Sequence, residues 1–139
     1  MKIFIDANII VSVLNKEYPV FTYAARVLSL PASRNIQLYT SSCCIAIAYY
    51  FACKKSGAAK ARQKIALLAQ HIKLAENKQQ DLQLICTNKK IKDFEDGLQY
   101  YAAANAGCKC IITENVKDYY FSDIEALSAE DFLDKHILK

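Results

Sequence analysis

"DFEDGLQYYAAANAGCKCIIT", residues 93–113, decides the fold. Three acids open a run in which alanines and aromatics recur at helical spacing. Gly107 ends that run, and bulky apolar residues follow at once. The pattern predicts a helix over 93–106 leading into a buried strand over 108–113. A strand apolar on both faces belongs inside a parallel sheet. The helix that feeds it must run antiparallel to it, so the acidic start of the helix lies at the strand's carboxyl edge.

The same alternation extends along the chain. Ile3, Phe4 and Ile5 predict a central strand covered on both sides, followed by a helix over 8–14. Pro19 suits the first turn of a helix running to Leu30, and Pro31 stops it. Gln37–Thr40 reads as a second strand, with Ser42 capping a helix over 43–54. That helix is apolar almost all round, which predicts deep burial or a subunit contact in a homodimer, with the Tyr49–Tyr50–Phe51 segment at the contact. After Gly57 a further helix carries Ala61, Ile65, Leu68 and Ile72 as a stripe. "HIKLA" (71–75) reads as a strand, 77–86 as a helix and 123–127 as an edge strand. Ser128 and Asp131 resemble a capping box for a short terminal helix. Strands alternating with helices predict a three-layer α/β/α sandwich with a mostly parallel central sheet, one domain over residues 1–139.

Composition narrows the function classes. With 53% hydrophobic and 23% charged residues the 139-residue chain is globular in composition, and a net charge of +4 permits an anionic partner without requiring one. The six cysteines (43, 44, 53, 86, 108 and 110) form no C-x-x-C pair and lie far in sequence from His71 and His136. They read as reduced, small, buried apolar residues of a cytoplasmic protein rather than zinc ligands. There is no signal-peptide pattern, no run long enough to span a membrane and no glycine-rich nucleotide motif.

Carboxylates carry the functional signal. Ligands of an open parallel sheet sit beyond the carboxyl ends of its strands. Asp6 ends the first strand, Asp118 lies five residues beyond Thr113, and Asp93, Glu95 and Asp96 open the 93–106 helix. Three distant stretches therefore deliver acids to one edge. Phe94, Leu98, Tyr101 and Ala102 make one apolar stripe of that helix. Asp93 and Asp96 lead another row, continued by Tyr100, Ala103 and Ala104, where an acid is costly unless paired or metal-bound. Each acid also has an ordinary reading: Asp6 or Asn8 as a helix cap, Asp93, Glu95 and Asp96 as partners of a helix dipole, Asp118 as a turn residue. A phosphoacceptor signalling domain also puts aspartates at such an edge, but no lysine follows on a further strand in the expected way.

Three stretches, "IFIDANII" at the start, the apolar helix after "YTSS", and "KDFEDGLQYYAAANAGCKCIITENVKDY" (92–119), resemble the PIN-domain ribonucleases. The chain looks most like bacterial PIN proteins with D-F-E-D-x-L-Q and T-x-N-x-x-D-[YF] motifs. The resemblance implies an endoribonuclease using Mg²⁺ or Mn²⁺. Its metal-binding and catalytic acids map onto Asp6, Asp96 and Asp118, with Asp93, Asn8, Thr113 and Asn115 in support. It also implies RNA as substrate and, as in many relatives, a toxin held inactive by a small antitoxin protein. The three carboxylates are expected roughly 4–8 Å apart, allowing for bridging water. Lys54, Lys55, Lys60, Arg62 and Lys64, and Lys89, Lys90 and Lys92, are candidate phosphate-tracking groups. One departure matters: where the family commonly places a glutamate on the helix after the second strand, this chain has Ile47. The alternative is therefore a PIN-like protein that binds RNA or a partner and cleaves weakly or not at all. Charge repulsion among the acids further predicts that Asp6→Asn melts at or above wild type in EDTA.

Overall fold

The computed structural model describes residues 1–138. Five strands, β1 (Lys2–Ile5), β2 (Gln37–Ser41), β3 (Ile72–Ala75), β4 (Cys110–Ile112) and β5 (Glu125–Leu127), form one all-parallel sheet in the order β3-β2-β1-β4-β5. Ile3, Phe4 and Ile5 of β1 and Cys110, Ile111 and Ile112 of β4 are buried on both faces, which is why these short strands carry almost no polar residues. The outer strands are less covered: Lys73 and Leu74 of β3 are exposed, and β5 is half-buried.

Among the described residues seven α-helices complete the three layers: α1 (Ala7–Leu14), α2 (Val20–Ser29), α3 (Ser42–Ser56), α4 (Ala58–Ala69), α5 (Gln79–Thr87), α6 (Phe94–Ala106) and α7 (Ala129–Phe132). Parallel strands are joined by right-handed crossovers, so the direction in which the chain moves across the sheet selects the face each helix covers. From β1 to β3 the chain moves one way, and α1 packs on α2 and α3, and α3 on α4. The step from β3 to β4 reverses direction, and α5 and α6 pair, with α6 lying against β1, β2 and β3. The reversal falls between β1 and β4, where the crossovers diverge and leave a crevice at the carboxyl ends.

Local chemistry explains the helix ends. Ser41, one residue earlier than the expected cap, accepts the Cys44 N–H at 3.0 Å to start α3. Gly107, at φ +78°, closes α6 in the left-handed conformation that a side chain disfavours. Pro31 lies in a 3₁₀ turn over Leu30–Ala32 that follows α2. Lys64 Nζ donates to the Leu14 carbonyl at 2.7 Å and Lys55 Nζ to that of Asn15, so two members of the first basic group satisfy the carboxyl end of α1. A buried Asp81 carboxylate accepts the Lys78 N–H at 2.8 Å and the Asn105 amide at 2.8 Å, pinning α5 to α6.

One expectation needs correction. The buried face of α6 is Gly97, Gln99, Ala102 and Ala103, while Phe94, which headed the expected apolar stripe, is 45% exposed. On α3 only Cys44, Ala48 and Ala52 are fully buried, and Tyr50 is 54% exposed. A Cβ on Gly97 would meet Ile85 Cγ2 at 2.9 Å and Ile91 Cγ2 at 3.1 Å, so glycine lets α5 and the loop after it close onto α6. Overpacking there costs about 1–3 kcal/mol, against about 1 kcal/mol that alanine returns in helix propensity. Gly97→Ala is therefore expected to lower the denaturant midpoint in equilibrium unfolding, whereas Gly→Ala at an open helical site raises it.

Candidate active site

Asp6 stands at the β1–β4 switch point, 8% exposed. It occupies the N-cap position of α1, yet its side chain bonds only the adjacent Ala7 N–H, at 2.8 Å, and neither of the two N–H groups an N-cap usually serves. Its other donors come from elsewhere in the chain. The Cys44 thiol reaches Oδ1 at 3.8 Å, and Oδ2 accepts the Thr113 hydroxyl at 2.9 Å and the Tyr119 hydroxyl at 3.2 Å. Burial pushes the Asp6 carboxyl above the ordinary carboxylate range, and these four hydrogen bonds pull in the opposite direction. Burial and the neighbouring Asp6 charge hold the Cys44 thiol up at about 12, so it stays a neutral donor.

The direction of the Thr113 bond is fixed. Its hydroxyl oxygen already accepts from Asn8 Nδ2 at 3.1 Å and from the Asn115 N–H at 3.0 Å, so both lone pairs are used and the proton must go to Asp6. Asn8 Oδ1 accepts the Glu114 N–H at 3.0 Å, which orients its amide. The loop after β4 is thereby tied to the start of α1.

Asp6 shares a cleft of about 460 Å³ with Glu17, Glu95, Asp96 and Glu114, walled by Asn8, Asn115, Val11, Ile47 and Phe51, among others. Among the described residues no lysine, arginine or histidine lines it. Asp96, half-buried in the first turn of α6, has its carboxyl raised to about 7 by burial, then by the charges of Asp93, Asp6, Asp118 and Glu95. Glu95 is raised by burial, Asp93 and Asp6. Gln99, one turn on from Asp96, accepts the Ser41 hydroxyl and holds α6 against the start of α3.

The sequence-predicted residues divide into groups. Asp6, Asp96, Asn8 and Asn115 line the cleft, and Thr113 lies buried against Asp6. Asp118 is exposed in a 3₁₀ turn (Val116–Tyr119) outside the cleft lining, though its charge still reaches Asp96. Asp93 caps α6, accepting the Glu95 N–H at 2.9 Å, and adds its field to the same acids. Asp6, Asp96 and Asp118 do not converge to within 4.8 Å as a trio. Ile47 faces the cleft at the position where an acid is absent. Sequence reasoning assigned no role to Tyr119, Cys44 or Glu114. Tyr119 closes the T-x-N-x-x-D-[YF] motif and was visible there, Glu114 lies between two assigned residues, and Cys44 gave no signal. Nor are the cysteines uniformly buried: Cys86 is exposed, and Cys43 and Cys53 are half-buried.

Hydrogen-bond polarity reverses the expectation for Asp6→Asn. Either orientation of an asparagine amide turns N–H groups onto donors, and Thr113 has no lone pair to offer. The substitution should lower stability in EDTA by about 1–3 kcal/mol, measured by urea unfolding. Asp96 supplies a pH test. Its folded pKa lies above its unfolded one, so the stability it contributes is full below the unfolded carboxylate pKa of about 3.9 and is lost as pH climbs through about 7. Metal-free wild type should therefore lose more stability than Asp96→Asn as pH rises through that window.

A family model, "PIN domain", matches residues 2–117. Ribonuclease VapC1 of Aquifex aeolicus (strain VF5) is 30% identical over 137 residues, covering 96% of this chain and 94% of that protein. The structure of VapBC-1 from nontypeable Haemophilus influenzae aligns with a TM-score of 0.70 at 21% identity, covering 94% of this chain and 99% of that one. VapBC2 from Rickettsia felis, bound to a DNA fragment from their promoter, aligns at 0.67 and 18% identity, covering 92% and 98%. These two likenesses carry the fold. With the family pattern running through β1, the switch point and the loop after β4, the chain belongs to the PIN domain family.

Proposed function

We propose that the chain, working as one domain over residues 1–139, is a metal-dependent endoribonuclease of the cytoplasm and the toxin of a toxin–antitoxin pair. The observation that carries this reading is the cleft lined by five carboxylates, Asp6, Glu17, Glu95, Asp96 and Glu114, with no basic side chain among the described residues lining it. Like charges held together in a half-buried cleft are a standing demand for a cation. The similar protein from Aquifex aeolicus is named a ribonuclease. Among the described residues no helix is long and apolar enough to cross a membrane, and the free cysteines suit a reducing compartment.

Asp6, Asp96 and Asp118 would hold Mg²⁺ or Mn²⁺, whose hard-oxygen preference matches them. Because the three do not close to within 4.8 Å, part of that set would act through bridging water. When bound, the ion acidifies a water molecule and neutralises charge on the phosphate. Asp6 is the fixed member, held by three short hydrogen bonds, and the weak Cys44 thiol contact at 3.8 Å is the one the ion would displace from Oδ1. Asp96 is the responsive one, giving up its proton as positive charge arrives. Glu95 supplies from α6 the fourth carboxylate that Ile47 leaves absent on α3. Thr113 and Asn115 orient Asp6, and Asp93 and Asn8 hold the helix start and loop that carry the set. RNA approaches over Lys54, Lys60 and Arg62 and over Lys89, Lys90 and Lys92, all exposed. A small antitoxin has an apolar groove available, lined by Val13, Leu14, Leu28, Leu67 and Leu68. Exposed Tyr50 and Phe51 give α3 the surface of a homodimer contact.

Ile47 in the cleft wall favours a second reading, a PIN-like protein that binds RNA without cutting it. Metal-stripped protein incubated with labelled RNA separates the two. Cleavage should appear on adding Mn²⁺ or Mg²⁺, vanish in EDTA and fall about 100-fold or more in Asp96→Asn. RNA binding with no cleavage at any Mn²⁺ concentration would leave the second reading. Ile47→Glu should tighten Mn²⁺ binding, read as a larger thermal shift at equal metal concentration.

A further inference from the structure

At the opposite, amino-terminal edge of the sheet, three side chains from three elements meet. Cys110 Sγ of β4 lies 3.7 Å from Glu125 Oε1 of β5 and 3.9 Å from His136 Nε2, and the last two are 3.4 Å apart. Among the described residues this is the one Cys/His/Asp/Glu trio whose ligand atoms all lie within 4.8 Å of one another. We propose that Cys110, Glu125 and His136 form a second metal site, a three-ligand centre for Zn²⁺ that fastens the C-terminal turn to the sheet.

The distances carry the argument. A tetrahedral zinc ion with Zn–S near 2.3 Å and Zn–N or Zn–O near 2.0–2.1 Å holds its sulfur about 3.6 Å from each of the other donors, and the nitrogen about 3.3 Å from the oxygen. The observed triangle is that shape, wider by a few tenths of an ångström. The donors are pre-oriented. Phe132, fully buried, lies against the His136 ring, with centroids 5.0 Å apart and planes 30° from parallel. Lys135 pairs with Oε2 of Glu125, which turns Oε1 toward the sulfur and the imidazole. One thiolate, one imidazole and one carboxylate select zinc over the hard ions suited to the acidic cleft. Binding replaces the Cys110 S–H with an S–Zn bond, its proton leaving to solvent, and a water takes the fourth position. The π-helical turn Leu133–Ile137 brings His136 back over β4 and β5, 26 residues after Cys110, so no short sequence spacing announces the site.

Cobalt(II) titration of the reduced, metal-stripped chain tests it. One equivalent should produce thiolate-to-cobalt charge-transfer absorption together with the d–d bands of a tetrahedral site, and Zn²⁺ should bleach both. Cys110→Ala and His136→Gln should abolish the charge-transfer band. Asp96→Asn, which disables the proposed nuclease site, and Cys44→Ala, which removes the thiol beside Asp6, should each keep it. Should Cys110→Ala fail to fold, His136→Gln, on an exposed turn, still decides. Absence of the band, its survival in His136→Gln, or its loss in Cys44→Ala would each overturn the proposal, and none of them bears on RNA cleavage.

Discussion

A buried carboxylate holds this molecule in register. Removing Asp6 from water is costly, and four donors offset the cost: a backbone N–H of α1, a thiol of α3, a hydroxyl just beyond β4 and a phenol from the following turn. No two of those donors belong to the same element. They converge only when β1 lies between β2 and β4, α3 crosses above the sheet edge and the loop after β4 folds back. The hydrophobic core makes the sheet compact, but it distinguishes poorly between neighbouring registers of short apolar strands. The Asp6 network makes that distinction, and it does so in the wall of the cleft.

The architecture was legible because its signal is periodic and local. Residues 93–113 announce a helix, its terminating glycine and a buried strand, and topology alone then brings Asp6 and Asp96 to one edge. What escaped depends on tertiary contact. The rows led by Phe94 and by Asp96 are both consistent with helical spacing, but the buried face takes Ala102 from the first, Ala103 from the second, and Gly97 and Gln99 from neither, with α5 closing onto Gly97. Tyr119 stands in the T-x-N-x-x-D-[YF] motif, but the bond of its hydroxyl to Asp6 shows only in the fold. Lys55 and Lys64 look like members of a basic face until they are found capping α1. The Cys110–His136 contact is invisible to any rule of ligand spacing, because the C-terminal turn alone creates it.

β4 joins the two ends of the domain. Its three residues run from Cys110, beside Glu125 and His136, to Ile112, next to Thr113. The carboxyl end carries hard oxygen donors in an open cleft, and the amino end carries a soft donor set under the C-terminal turn. In the proposed reading the two surroundings would favour different ions, so occupancy of one end would not compete with occupancy of the other.

The Thr113 hydroxyl has a consequence for how this sequence can change. With both lone pairs filled by Asn8 and Asn115, it can only give its proton, and Asp6 can only take it. Polarity thus runs one way from the loop backbone to the carboxylate, and no single substitution reverses one link without setting donor against donor. Asp6, Asn8 and Thr113 form an epistatic block: each constrains the donor or acceptor character of the next, so replacing one of them asks for a matched change in another, a constraint that the exposed Asp118 and Glu95, outside this chain of hydrogen bonds, do not share.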